Sequence, residues 1–261
     1  MTARVRSRRA VIYGPREIDG IRLAAQATAG VLRELVRALR PGLSTGELDD
    51  LAGELIRATG GESAFFGYRG FPGQICISLN DEVVHGIGRK ERFVQLGDLV
   101  SLDVGIRLHG FVGDTATTHC VGDLPDEPRK QLLEATRQCL QLGIGAARAG
   151  GRVNDIGRAV EQHARKAGYS VVRDFVGHGC GRRLHEPPEV PNFACRQPGV
   201  LLQTGMVLAI EPMLNQGDDK VSVDADGWTV RTRDRGLSAH FEHMIAITNG
   251  EAEILTWPKK A

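Results

Sequence analysis

The sequence predicts an α+β fold: a curved antiparallel sheet with outer helices and internal pseudo-two-fold symmetry. Three observations predict it. The 261-residue chain matches itself when shifted by 108 positions. Each half runs helix, glycine-containing turn, helix, then apolar strands. No linker or low-complexity tract separates the halves. One domain is therefore expected over 13–261, with halves of about 13–124 and 125–261 and a short basic tail at 1–12.

The elements follow in chain order. Arg4, Arg6, Arg8 and Arg9 make a solvated basic tip, and no apolar stretch behind them suggests a secretory signal. Leu32, Val36 and Leu39 recur at helical spacing, and Leu140, Ile144 and Ala147 stand at the shifted places. "LRPGLSTGELDDLAGELIRATGG" (39–61) then faces "ARAGGRVNDIGRAVEQHARKAGY" (147–169). Arg40 meets Arg148, Gly42 meets Gly150, Leu48 meets Ile156, and Gly60 meets Gly168. Ser44 and Glu47 have the spacing of a capping box, in which each side chain satisfies the other's backbone N–H. Further on, "QLGDLVSLDVG" (95–105) faces "QTGMVLAIEPM" (203–213), so Asp103 lands on Glu211. Each half carries a carboxylate at the same point of an apolar strand.

"DVGIRLHGFVGD" (103–114) reads as a hairpin turning at His109-Gly110. Centred between Leu108 and His109, it sets Asp103 opposite Asp114, with Cβ atoms ~5 Å apart. Two carboxylates at that spacing repel by roughly 3 kcal/mol at an effective dielectric of about 20. Solvent, a shared proton or a bound cation would relieve the repulsion. Glu211, ending "MVLAIE", and Glu242, in the strand-like "AHFEHMIAIT", keep similarly apolar company, and His178 lies in the glycine-rich "VGHGCG". Burying an isolated carboxylate is costly unless it is paired or bound to metal, and no Lys or Arg adjoins these four in sequence. A pair of divalent cations would neutralise them. Four carboxylates and one imidazole favour Mn²⁺, Fe²⁺ or Co²⁺, with Zn²⁺ compatible.

Bulk properties narrow the alternatives. A net charge of +1 gives no reason to expect general nucleic-acid or membrane binding. No apolar run is long enough for a membrane span. Cys76, Cys120, Cys139, Cys180 and Cys195 are odd in number and lack a C-x-x-C pair, which suits reduced thiols in the cytoplasm.

Six segments resemble type I methionine aminopeptidases: "VVHGI" with His85, "LDVG" with Asp103, "GFVGDTATT" with Asp114, "GHGCGRRLHEPPEVPNF" with His178 and His185, "LAIEPM" with Glu211, and "AHFEHMIAIT" with Glu242. The resemblance runs from about Ile12 to Ile254 and fills all five ligand positions of that family's metal pair. It implies the pita-bread fold of creatinases and aminopeptidases, whose pseudo-symmetry agrees with the repeat.

It also implies a mechanism. One ion would be held by Asp114, His178, Glu211 and Glu242, the other by Asp103, Asp114 and Glu242. A bridging water or hydroxide would attack the first peptide bond, with Glu211 as proton shuttle, His185 on the carbonyl oxygen and His85 near the scissile nitrogen. Phe65, Tyr68, Phe71, Cys76, Leu184 and Trp228 would line the methionine pocket. Phe65 and Leu184 depart from the family's commoner small and aromatic residues. A monovalent cation, Na⁺ or K⁺, would lie near Asn80 and Ser238. The implied activity is removal of N-terminal Met from nascent polypeptides with a small second residue, by a cytoplasmic monomer in transient ribosome contact. Two rivals remain: a proline-directed aminopeptidase of the same fold, which usually carries a long N-terminal domain, and a non-enzymatic binding module, which typically loses ligands. A helical insert like that of type II relatives is not expected, because only 31 positions separate Glu211 from Glu242.

Overall fold

Pro15 opens the first helix, at a position where a missing N–H costs nothing, and Glu17 Oε2 accepts the Gly14 N–H at 3.0 Å. The computed structural model describes residues 10–122 and 125–257. The arginines of the basic tip lie outside the described residues. Among the described residues, four long helices form: α1 (Pro15–Ala38), α2 (Thr45–Ala58), α3 (Glu127–Ala146) and α4 (Val153–Lys166).

The expected capping box starts α2. Ser44 N donates to Glu47 Oε2 at 2.9 Å, and Glu47 N donates to Ser44 Oγ at 3.1 Å. Shifted by 108, its counterpart is Arg152, whose N donates to Asp155 Oδ2 at 2.8 Å. The same shift carries α2 onto α4 from first residue to last. It also carries the buried stripe Leu48, Ala52, Ile56 onto Ile156, Val160, Ala164. Isolated bridges Ser44–Phe93 and Arg152–Leu201 obey it too. So do the left-handed glycines Gly42 and Gly150, which turn the chain into the second helix of each half.

In the first half, the strand Leu99–Leu108 pairs antiparallel with Phe111–Cys120 on one edge and with Cys76–Leu79 on the other. In the second, Val207–Ile210 pairs with Gly177–Gly179 and His243–Ala246, and Met213–Asn215 pairs with Ser238–His240. The helices cover one face of this framework. Leu35, Leu48 and Ile56 pack on Val100, Leu102, Val104 and Ile106, while Leu132, Leu140 and Ile156 pack on Leu208, Ile210 and Ile245. Each such side chain contributes about 1.5–3 kcal/mol on burial. Strand residues alternate in direction, so Asp103 and Gly105 point to the opposite, inner face.

The hairpin register differs from the expected one. Asp103 pairs with Ala116, and Asp114 pairs with Gly105. His109 and Gly110 both adopt left-handed backbone, at φ 50° and 79°, and together form the turn. That centres the hairpin one residue later, between His109 and Gly110, and makes the two aspartates diagonal neighbours on one face. Both also sit inside ten-residue strands rather than at solvated ends.

Candidate metal centre

Each acidic residue of the inner face is fixed by its strand. The strand after Val207 breaks at Glu211-Pro212, and the strand after Ser238 breaks at Phe241-Glu242. The breaks are adjacent, since Phe241 N donates to the Pro212 carbonyl at 3.4 Å. Glu211 and Glu242, expected within or at the end of continuous strands, instead lie at these breaks. Glu242 is tied to the hairpin by its N–H on the Ala116 carbonyl at 2.9 Å and by Thr115 Oγ1 on its own carbonyl at 2.7 Å. His178, expected in a glycine-rich loop, lies in the strand Gly177–Gly179; a Cβ at either flanking glycine would collide with neighbouring backbone.

These strands bring all five predicted ligand residues together. Donor atoms of Asp103, Asp114 and Glu242 lie within 4.8 Å of one another, as do those of His178, Glu211 and Glu242. His178 Nε2 is 3.4 Å from Glu211 Oε1 and 3.6 Å from Asp114 Oδ2. Among the described residues, no Lys or Arg forms an ion pair with any of the four carboxylates. Asp103 Oδ1, Asp114 Oδ1 and Glu242 Oε1 are buried without a hydrogen-bond partner. Burial pushes the Asp103 carboxyl up to about 7. Burial, then the charges of Asp103 and Glu211, raise Asp114 well above the usual carboxylate range. Burial raises Glu211 and Glu242 likewise, with neighbouring acids adding to it. Burial lowers His178 to about 3, leaving its imidazole neutral at ordinary pH. Orphaned oxygens around a neutral imidazole fit a divalent cation, which is the group that removes the repulsion without a proton.

A cavity of about 240 Å³ opens beside this cluster. All six residues expected in the pocket line it: Phe65, Tyr68, Phe71, Cys76, Leu184 and Trp228. Phe65 takes space left by Gly105, where a Cβ would strike its ring. His185 lines the cavity too, stacked 5.3 Å from Tyr68, with Nδ1 3.0 Å from the Tyr68 hydroxyl. His85 stands in left-handed backbone at φ 60°, edge-on to Phe175 at 5.3 Å and Trp228 at 6.4 Å. A non-glycine residue kept there reports a constraint from its surroundings. Burial lowers both imidazoles to about 4.

Some site residues were missed in the sequence. Cys180 Sγ lies within 4.8 Å of donors on Asp114 and His178. His240 Nε2 lies 3.8 Å from Glu211 Oε2. Arg69, Phe175 and Met213 line the cavity. For the first two a signal existed: Cys180 follows His178 by two and His240 precedes Glu242 by two, the spacing of one strand face.

A cleft that gathers four carboxylates around the His178 imidazole is that of a metal-dependent enzyme, and the comparisons with known proteins specify which. The model of metallopeptidase family M24 matches residues 19–249, and the chain belongs to that family. It is 44% identical to methionine aminopeptidase A of Synechocystis over 92% of this chain and 95% of that one. It is also 44% identical to methionine aminopeptidase 1 of Bacillus subtilis, over 93% and 97%. The crystal structure of a Thermotoga maritima methionine aminopeptidase aligns with a TM-score of 0.92 at 42% identity, covering 95% of this chain and 99% of that one. A prolidase from Pyrococcus furiosus, 21% identical at a TM-score of 0.77, shares the fold, which is the expected pita-bread fold. Among the described residues no helix is long and apolar enough to cross a membrane.

Proposed function

We propose that this protein removes the N-terminal methionine from nascent proteins and peptides with a small second residue, using two divalent ions held in one catalytic domain over 13–261. The observation that carries the reading is the set of orphaned carboxylates beside an aromatic-lined cavity. Asp114, His178, Glu211 and Glu242 would hold one ion and Asp103, Asp114 and Glu242 the other, with Mn²⁺, Fe²⁺ or Co²⁺ suited to the donors and Zn²⁺ compatible. Such a pair, when bound, supplies Lewis acidity and lowers the pKa of water.

The protein's own groups do the rest. Phe65, Tyr68, Phe71, Cys76, Leu184 and Trp228 receive the thioether, whose sulfur packs well on aromatic rings. Tyr68, donating to His185 Nδ1, leaves the hydrogen on His185 Nε2, which donates to the carbonyl oxygen as it gains charge. His85 faces the scissile nitrogen and the amine end. Glu211 accepts a proton at its carboxylate and returns it to the leaving nitrogen. A monovalent cation, Na⁺ or K⁺, near Asn80 and Ser238 belongs to the same proposal; the Asn80 carbonyl, in left-handed backbone at φ 57°, accepts the Ser238 N–H at 2.9 Å. We further propose a cytoplasmic monomer that meets its substrate in transient contact with the ribosome.

Release of Met from Met-Ala-Ser, measured with Ala-Pro and Gly-Pro peptides in parallel, tests the reading. Cleavage of the Met peptide alone is expected. Cleavage of the proline peptides with an inert Met peptide would replace this reading with the proline-directed one, and no cleavage of any peptide by the metal-loaded protein would leave the binding-module reading.

A further inference from the structure

One buried polar group beside the site has no task in that mechanism. His240 ends the strand Ser238–His240, is 2% exposed, and its Nε2 has no hydrogen-bond partner. Native proteins seldom leave such an atom idle. Three features aim it at Glu211. The register pairs His240 with Met213, two residues beyond Glu211, and diagonal neighbours across an antiparallel pair lie within reach of long side chains. His240 Nε2 stands 3.8 Å from Glu211 Oε2, whereas Glu211 Oε1 stands 3.4 Å from His178 Nε2. The two oxygens thus face different imidazoles. The His240 backbone is also pinned: Thr118 Oγ1 accepts its N–H and donates to its carbonyl, each at 2.8 Å. Thr118 lies on the strand that carries Asp114 and in turn pairs, at 2.8 Å, with Ser101 on the strand that carries Asp103.

We propose that His240 is a positioning residue for Glu211. A carboxylate only accepts, so Nε2 carries the hydrogen and engages Oε2. The separation is one small side-chain adjustment, or one bridging water, from a hydrogen bond. Oε2 is thereby held, and Oε1 is presented toward His178 and the ion site. This rests on the role given to Glu211 above.

Three full-length variants test it: His240→Ala, His240→Gln and His240→Leu. Steady-state kinetics on Met-Ala-Ser and calorimetric titration of Co²⁺ into metal-free protein supply independent readouts. Outer-shell partners of ligands typically matter by about 10–100-fold. His240→Ala should therefore lower kcat by about that factor with KM within about threefold, and weaken the first Co²⁺ by about tenfold. Gln offers an N–H donor from a similar place and should recover most of both losses. Leu fills the volume without donating and should behave like Ala. Wild-type kcat and Co²⁺ affinity in His240→Leu would overturn the proposal, as would a Gln variant no better than Leu. Should Ala fail to fold, the Gln–Leu pair decides. Should the wild type release no methionine, the functional reading fails, and the Co²⁺ affinities still judge the positioning role.

Discussion

Two groups of buried acids in this molecule are treated in opposite ways. Glu82, 4% exposed, accepts from Arg92 Nη1 at 2.6 Å, Arg231 Nη2 at 2.9 Å and the Leu79 N–H at 2.9 Å. Arg231 also bridges Asp81 at 2.6 Å and Asp224 at 2.9 Å, and Arg235 adds a second bond to Asp81 at 3.1 Å. On the inner face, among the described residues, Asp103, Asp114, Glu211 and Glu242 have no Lys or Arg ion pair, and the imidazoles beside Asp114 and Glu211 are kept neutral by burial. Arginine was available to this fold for balancing buried carboxylates, and the inner face does without it. A buried charge left unpaired costs several kcal/mol. Its persistence at four adjacent positions is explained by a partner that arrives from outside the chain.

Breaking each group separately tests the contrast. The largest effect belongs to the inner face. Asp103→Asn or His178→Ala should lower kcat on a Met-first peptide by at least about a hundredfold, the upper loss for a group that only supports a ligand, because a proposed ligand is removed outright. Circular dichroism should show the variant still folded, and full activity in either would separate these residues from the reaction. Next comes Arg231→Met. Unpairing a fully buried ion pair costs roughly 3–5 kcal/mol; Arg231 is 19% exposed at its side chain, so about 2 kcal/mol is expected in denaturant unfolding. Co²⁺ affinity should not change, and a parallel loss of affinity would mean that the two clusters are not independent.

A smaller effect depends on pH. The folded pKa of Asp103, about 7, lies above its ordinary 3.8, so the metal-free folded state holds this proton more tightly than the unfolded chain does. The resulting penalty is absent below about pH 4, grows through about pH 7 and is complete above it. Metal-free Asp103→Asn should therefore gain on metal-free wild type, by several degrees in Tm, as pH rises through that window. Adding Mn²⁺ should reverse the ranking, because the carboxylate then has a cation to hold. A constant difference at all pH values, with and without Mn²⁺, would show that Asp103 pays no ionisation penalty in the fold.

Much of this was legible in the sequence because the repeat is written in local chemistry. Turn glycines, a capping residue and an apolar stripe recur with one offset, and each acts within a few residues of itself. That Asp103, Asp114, His178, Glu211 and Glu242 belong together was legible through the flanking segments of the family. What was not legible depends on pairing. His109 accepts left-handed backbone without the Asn-Gly signal of a two-residue turn, and that moved the hairpin register. The paired breaks at Glu211 and Glu242 sit inside apolar runs that read as continuous strands, and only the neighbouring strand makes them break together. His178 sits among glycines that read as a loop; in the fold they are there for close backbone approach. His240 was passed over because its partner lies on another strand.

The most direct test of the central claim is calorimetric titration of Mn²⁺ or Co²⁺ into metal-free protein, with thermal unfolding recorded before and after. The account predicts about two bound ions. At about 100 times its Kd, each ion is predicted to add roughly 2.7 kcal/mol of stability, a rise of about 5–10 °C in Tm per ion, and Asp103→Asn should lose much of the rise. An unchanged Tm with no heat of binding would contradict it, since the inner-face carboxylates would then be stable together without a cation.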